Sequence, residues 1–320
     1  MTLNQLKVFV LVVRLGSFRA AASALGVSEP AVSQALAALR QSLGDPLVTR
    51  TGASLTLTAA GQRVVGLASQ MVNLAVAAED AVRSANGDAE LLRGVAAAHD
   101  GDAVAPALLQ AFARRATNVE ATLGIATTGE MQALLSERLA DVALGPALAR
   151  AGAPGIVSEP LLRYRLLVVA SRAHCAHDGR VRSLAALRHE EWLVDPTATD
   201  PESDVGRLLA EVGVPEANVR VFPTQPAAWA AAAECTGVAP AIEHLWIRDR
   251  HPDLAPLTVP GTPVELLWHV SMLQGDRRPA VASRLHRFMR TSDATQAMYR
   301  ADGGVPASRF RPPVYVTLWS

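Results

Sequence analysis

The stretch GSFRAAASALGVSEPAVSQALAALRQSLG, residues 16–44, decides how this chain is read. Gly16 ends an amphipathic run over residues 3–14, in which Leu6, Phe9, Val10 and Val13 recur at helical spacing. Ser17 is a favourable N-cap for a second, Ala-rich helix over 18–25, and Gly26 stops it. Ser28 caps a third helix. Pro30 is tolerated in its first turn because the amide it lacks would find no partner there. The spacing predicts a buried stripe of Val32, Leu36, Leu39 and Leu43 on that helix. Three short helices with one tight Gly turn between the second and third form a helix-turn-helix.

With Val32, Leu36 and Leu39 inward, Glu29, Pro30, Ser33 and Gln34 face outward at the amino end of the third helix. That end of a recognition helix enters the DNA major groove. Gln34 suits a bidentate contact to adenine, Glu29 can accept from cytosine N4, and Pro30 can lie against a thymine methyl. A solvated helix face is the plain alternative on spacing alone. Residues 1–60 carry Lys7, Arg14, Arg19, Arg40 and Arg50 against Glu29 and Asp45, a surplus of three positive charges in a chain that is neutral overall. A basic first segment suits a nucleic-acid-binding head that is a minority of the mass.

The ordered run Gly16-Ser17-Phe18, Ala20-Ala21-Ala22, Leu25, Val27 to Ser33, Leu39, Leu43-Gly44, Pro46-Leu47, Arg50 and Leu57-Thr58-Ala59-Ala60-Gly61 resembles the signature of LysR-type transcriptional regulators. The resemblance implies a wing hairpin over 47–57 with Gly52 at its tip. Arg50 and Thr51 would lie near the phosphates, with Arg19 and Ser28 completing the DNA-binding set. Two positions depart from the family: Glu29 and Gln34 stand where Gln and Arg are frequent, and Ala53 and Thr56 where the wing commonly carries further cations. Fewer cations imply a modest grip per monomer and an altered base preference.

Residues 59–84 lack Pro and carry Val64, Leu67, Met71, Leu74, Ala78 and Ala81 at spacings of three and four, a heptad seam on one long helix. Such a stripe can pack on its own domain. Its place after the wing resembles the linker helix that pairs antiparallel in LysR-type dimers, so Val64, Leu67, Met71 and Leu74 are expected dimer contacts. Residues 84–88 read as a hinge.

From residue 91 short apolar runs alternate with helices, the pattern of a parallel sheet with crossovers. Strands are expected at 92–97, 119–125, 141–145, 165–170, 192–194, 219–222, 237–241, 257–259 and 266–273. Helices are expected at 103–116, 129–139, 203–212, 226–235 and 278–291. Leu134, Leu139 to Gly145, Glu159-Pro160-Leu161 and Gly237 to Pro240 resemble the two-lobed LysR-type effector domain, itself similar to periplasmic binding proteins.

The fold class expected is thus α/β: a winged helix-turn-helix over 1–58, a linker helix and hinge over 59–88, and two Rossmann-like lobes over 89–292. Lobe I takes 89–162 with 268–292, lobe II takes 163–267, and an extension follows over 293–320. Open parallel sheets bind ligands beyond the carboxyl ends of strands, at helix N-termini. Those points are Ala98, His99 and Asp100; Thr127 and Thr128; Pro196 and Thr197 after Asp195; and Thr224 and Gln225. Hydroxyls there suit a small anion, although each Thr is also an ordinary N-cap. The family commonly has Ser or Thr near Ala98 and His99.

Half the residues are apolar, 19% are charged and mean hydropathy is +0.18, which fits a packed cytoplasmic protein. Neither a membrane span nor a leader is expected. Cys175 and Cys235 exclude a disulfide scaffold. His174-Cys175-Ala176-His177 has metal-ligand chemistry without the further ligands a zinc site needs, and neither a metal nor another cofactor is expected. No nucleophile elbow, phosphate loop, dinucleotide fingerprint or HExxH motif occurs, so an enzyme is not expected. The resemblance implies operator DNA, a small anionic effector, a homodimer or homotetramer, and RNA polymerase as partners. Val314 to Trp319 alternates as a strand would.

Overall fold

A computed structural model describes residues 1–51, 54–97, 104–148, 155–174, 183–243 and 252–299. Helices α1 (Leu3–Leu15), α2 (Phe18–Leu25) and α3 (Glu29–Leu43) lead to a hairpin of β1 (Val48–Thr51) and β2 (Ser54–Leu57), then to the long α4 (Ala59–Ala85). α2 and α3 are capped as the sequence predicts, the Ser17 and Ser28 hydroxyls accepting from the amides of Ala20 and Ala31, and α4 is capped by Thr58, whose hydroxyl accepts from the Gly61 amide. Gly26 takes φ 63°, left-handed backbone that a β-carbon disfavours, and so turns α2 into α3 within three residues. At Gly61 a β-carbon would collide with the Leu47 carbonyl, which is why α4 can begin tight against the wing.

Val32, Leu36 and Leu39 are fully buried, as expected. Leu43 is not: it is 39% exposed, because the last turn of α3 runs past the core of the head. The wing is fixed from outside its own ladder. Asp45 accepts from the Leu47 amide at 2.6 Å and the Thr58 hydroxyl at 2.7 Å, while Arg40 donates to the Val48 carbonyl at 3.0 Å.

The chain divides into two compact units, Met1–Glu159 with Val270–Ser320, and Pro160–His269. In the first, β3 (Glu90–Ala96) pairs in parallel with both β4 (Val119–Ile125) and β5 (Val142–Gly145), with α5 (Val104–Arg115) and α6 (Thr128–Ser136) as crossovers. α1 and α2 pack against α6, so the core of the head runs continuously into Met131, Leu134 and Leu135. Glu137, just after α6, is buried and accepts from Arg14 on α1 at 2.9 Å and Ser69 on α4 at 2.5 Å.

Two strands, β6 (Ile156–Ser171) and β11 (Val264–Leu273), begin in one unit and end in the other. Within the second unit β6 pairs antiparallel with β9 (Val238–Ile242) and β10 (Leu254–Pro256). β7 (Trp192–Val194) pairs in parallel with β9 and β8 (Val219–Val221), with α7 (Asp204–Val212) and α8 (Gln225–Ala233) as crossovers.

Several boundaries differ from expectation. The strand expected at 165–170 is the end of a sixteen-residue strand whose first half is masked in the sequence by Glu159 and Pro160. The strand expected at 257–259 lies at 254–256; Leu257 and Val259 are buried apolar residues beyond it, and burial alone mimicked a strand. The helix expected to 139 ends at Ser136, and Arg138 takes φ 56° as the chain turns. The helix expected over 278–291 spans α9 (Ala280–Phe288) only. A separate α10 (Ser292–Tyr299) opens the expected extension, restarted by Thr291, whose hydroxyl accepts from the Ala294 amide. The strand expected over 314–319 lies outside the described residues.

Candidate DNA-reading surface and sensor sites

Glu29, Pro30, Ser33 and Gln34 are all exposed along one side of α3, opposite its buried stripe, and Ser28 and Arg19 are exposed beside them. Glu29, Ser33 and Gln34 have no side-chain partner among the described residues. The wing backbone pairs Arg50 with Leu55 and Thr51 with Ser54; the side chains of Arg50 and Thr51, and the tip at Gly52, lie outside the described residues.

The positive surplus of the first sixty residues is smaller at the surface than on paper. Lys7 is buried, and burial pulls its amine down to about 8. Arg14 is held by Glu137 and Arg40 by the wing backbone. Arg19 is the one fully described cation of that set left on the surface without a partner. The sequence reading passed over Arg63, exposed in the first turns of α4 beside the wing. It sits outside the ordered motif, and only the helix geometry brings it near.

On α4, Gly61, Ala68, Val72 and Val76 face the chain's own core. Leu67, Met71, Leu74 and Val82 stand out at 60%, 45%, 70% and 60% exposure, with Ala78 and Ala81 exposed between them. Together they form an exposed apolar stripe along the helix. Val64, expected in that seam, instead packs partly on the core of the head.

The residues expected around a ligand divide between the two units. Ala98, His99 and Asp100 lie outside the described residues. Thr127 caps α6 in a reciprocal box: its hydroxyl accepts from the Glu130 amide, and Glu130 accepts from the Thr127 amide at 2.8 Å. Thr128 opens the helix. In the second unit, Asp195 accepts from both the amide and the hydroxyl of Thr197, closing a short 3-10 turn at Pro196–Thr199 rather than an α-helix start. Thr224 caps α8, and Gln225 donates to the Pro240 carbonyl at 2.8 Å, beside the Trp229 indole. Parallel pairing of β7 with β8 places the 195–197 and 222–225 loops at the same end of that sheet, beyond the strand carboxyl ends.

His174 lies 3.5 Å from Glu190, and Cys175 and His177 are outside the described residues. No group of three metal-ligating side chains occurs among the described residues. No helix among them is long and apolar enough to cross a membrane.

These features define a helix-turn-helix regulator with an appended two-lobed sensor domain. The profile of bacterial regulatory helix-turn-helix proteins of the lysR family matches residues 3–62, and that of the LysR substrate binding domain matches residues 85–294. An HTH-type transcriptional regulator of Mycobacterium tuberculosis, itself uncharacterised, is 35% identical over 323 residues, covering all of both chains. The regulator CfxR of Cupriavidus necator is 27% identical over 314 residues, 97% of each chain. In fold, CbnR in complex with its target DNA matches with a TM-score of 0.53 at 24% identity, covering 93% of this chain and 100% of that one. Full-length BenM matches with 0.51 at 19%, covering 91% and 96%. The chain belongs to the LysR family of DNA-binding transcriptional regulators, whose members join this head to a substrate-binding domain.

Proposed function

We propose that two copies of the chain, paired along α4, read a two-fold symmetric operator with the amino end of α3 in the major groove. Ser28, Glu29, Pro30, Ser33 and Gln34 would meet base edges, while Arg19, Arg50 and Thr51 hold phosphates. One observation carries this reading. Full burial of Val32, Leu36 and Leu39 fixes the rotation of α3, and Glu29, Ser33 and Gln34 on the opposite face are exposed with no side-chain partner among the described residues. Groups with that geometry at the start of a recognition helix are placed to read bases. Likeness of fold to CbnR, a protein solved in complex with its target DNA, supports DNA binding by this head.

Leu67, Met71 and Leu74 would form the pairing seam, with Val64 at its edge, and sensor domains would join dimers into tetramers. The sensor takes a small anionic effector beyond the strand ends, at Ala98, His99, Asp100, Thr127, Thr128, Pro196, Thr197, Thr224 and Gln225. The chain acts in the cytoplasm as a ligand-controlled regulator, not as an enzyme, with RNA polymerase as the partner downstream. Effector and operator then change each other's affinity by the same factor, typically worth 1–3 kcal/mol.

The reading is tested by selecting binding sites from a pool of random duplexes with the full chain. Enrichment of a two-fold symmetric site, with half-sites about one helical turn apart, is the expected result. Recovery of unrelated sequences in proportion to their abundance contradicts it.

A further inference from the structure

A cavity of about 290 Å³ opens within the first unit, where the last turns of α4 meet β3, the turn after α6 and the turn before α9. Five arginines line it: Arg83, Arg93, Arg138, Arg277 and Arg278. Four carboxylates line it too, but they are not evenly available. Arg93 donates to Asp80 at 2.7 Å and lies 3.6 Å from Asp141, whose carboxylate also accepts from the Arg93 amide at 2.8 Å. Glu90 is paired with Arg284, outside the cavity wall.

The guanidinium groups of Arg83, Arg138, Arg277 and Arg278 form no ion pair among the described residues; of the carboxylates that share the lining, Asp80 and Asp141 sit on Arg93, Glu90 on Arg284, and Asp276 has no such pair. Arg277 and Arg278 each donate to one backbone carbonyl, of Ser136 and Leu273, and keep their remaining N–H groups. Arg83 and Arg138 have no side-chain hydrogen bond or ion pair among the described residues. Like charges gathered in a partly enclosed space repel one another more strongly than in open water. A bound anion relieves that repulsion, and the planar guanidinium fork matches carboxylate and phosphate oxygens two at a time.

We propose that this cavity is a second small-molecule site of the protein, specific for a small multivalent anion bearing carboxylate or phosphate groups. Its volume sits at the small end of ligand pockets, which admits a compact di- or tricarboxylate or a phosphate ester and excludes a nucleotide. The anion would be held from three directions: by Arg83 on the linker helix, by Arg138 after α6, and by Arg277 and Arg278 before α9. Occupancy therefore ties the end of the linker helix to the sensor lobe. The assignment is independent of the groups at the starts of α6 and α8.

The test is calorimetric titration of the full chain with citrate and, separately, with inorganic phosphate at low ionic strength. Saturable binding of one anion per chain is expected for at least one of them, and the tighter of the two identifies the preferred chemistry. Arg83→Gln with Arg138→Gln should weaken it about tenfold or more, by removing two charge-assisted contacts. Asp276→Asn should tighten it about threefold by removing the facing negative charge, a gain that misfolding cannot imitate. Arg188→Gln, in the other unit, should leave it unchanged. Absence of saturable heat with both anions overturns the proposal. So does equal affinity in the folded double variant, or weaker binding in Asp276→Asn.

Discussion

On the exposed face of α3 the side chains of Glu29, Ser33 and Gln34 have no partner among the described residues, whereas at the starts of α6 and α8 the polar side chains are consumed by the chain itself. Glu29, Ser33 and Gln34 spend nothing on the fold, so their presence on one face calls for a partner. Thr127, Thr224 and Gln225 close caps and a clasp that the fold needs regardless of any ligand. A Thr at a helix start is thus ambiguous in a way that a Gln on an exposed recognition face is not.

The largest effect is expected at the pairing seam. Met71→Glu with Leu74→Glu would place two charges in an apolar contact, which costs several kcal/mol when the charges are buried unpaired. The sedimenting mass should halve. Affinity for a duplex with two half-sites should fall by roughly two orders of magnitude, because the second head no longer arrives tethered to the first. A variant of unchanged mass would show that the stripe on α4 is merely exposed.

Next in size is a pH effect inside the sensor lobe. Burial pushes the Asp141 carboxyl up to about 6, against the pull of Arg93. A carboxyl raised in the folded state contributes stability that is complete below its unfolded value near 3.8 and is lost as pH rises through about 6. Stability should therefore decline by about 2 kcal/mol from this group between pH 4 and 6. Asp141→Asn, which keeps the acceptor for the Arg93 amide, should flatten that stretch of the curve. An unaltered slope in chemical denaturation at stepped pH would assign it to other groups.

The smallest expected effect separates cap from ligand contact. Thr127→Val removes the box that starts α6 and should lower stability by about 1 kcal/mol. Thr128→Val, one position into the helix, should weaken an effector while leaving ligand-free DNA binding intact. Thermal unfolding and effector titration of the two variants side by side check this. Equal loss of effector affinity in both would make the helix start, rather than one hydroxyl, the determinant.

The head was legible in the sequence because its caps, glycines and buried stripe are local. Ser17, Gly26, Ser28 and Val32–Leu39 specify the geometry within a few residues of themselves. What escaped was set by partners far away in the chain. Arg14 counts as a surface cation until Glu137, 123 positions on, takes it. Arg40 counts as one until the wing folds back on it. The basic cavity draws its arginines from positions 83, 138, 277 and 278, and no spacing rule joins them. The strand from Ile156 was half hidden because Glu159 and Pro160 break an apolar pattern without breaking the strand.

The central claim, that the amino end of α3 reads bases, is tested most directly by fluorescence anisotropy with the selected duplex and a shuffled one of equal length. Parent chain and Gln34→Ala should be titrated at the same salt concentration, since phosphate contacts make both affinities salt-dependent. A loss of about 1–3 kcal/mol on the selected duplex, relaxed preference at one base position, and no change on the shuffled duplex are expected. Equal losses on both duplexes would contradict the claim, leaving Gln34 as a contributor to general DNA affinity with no part in reading sequence.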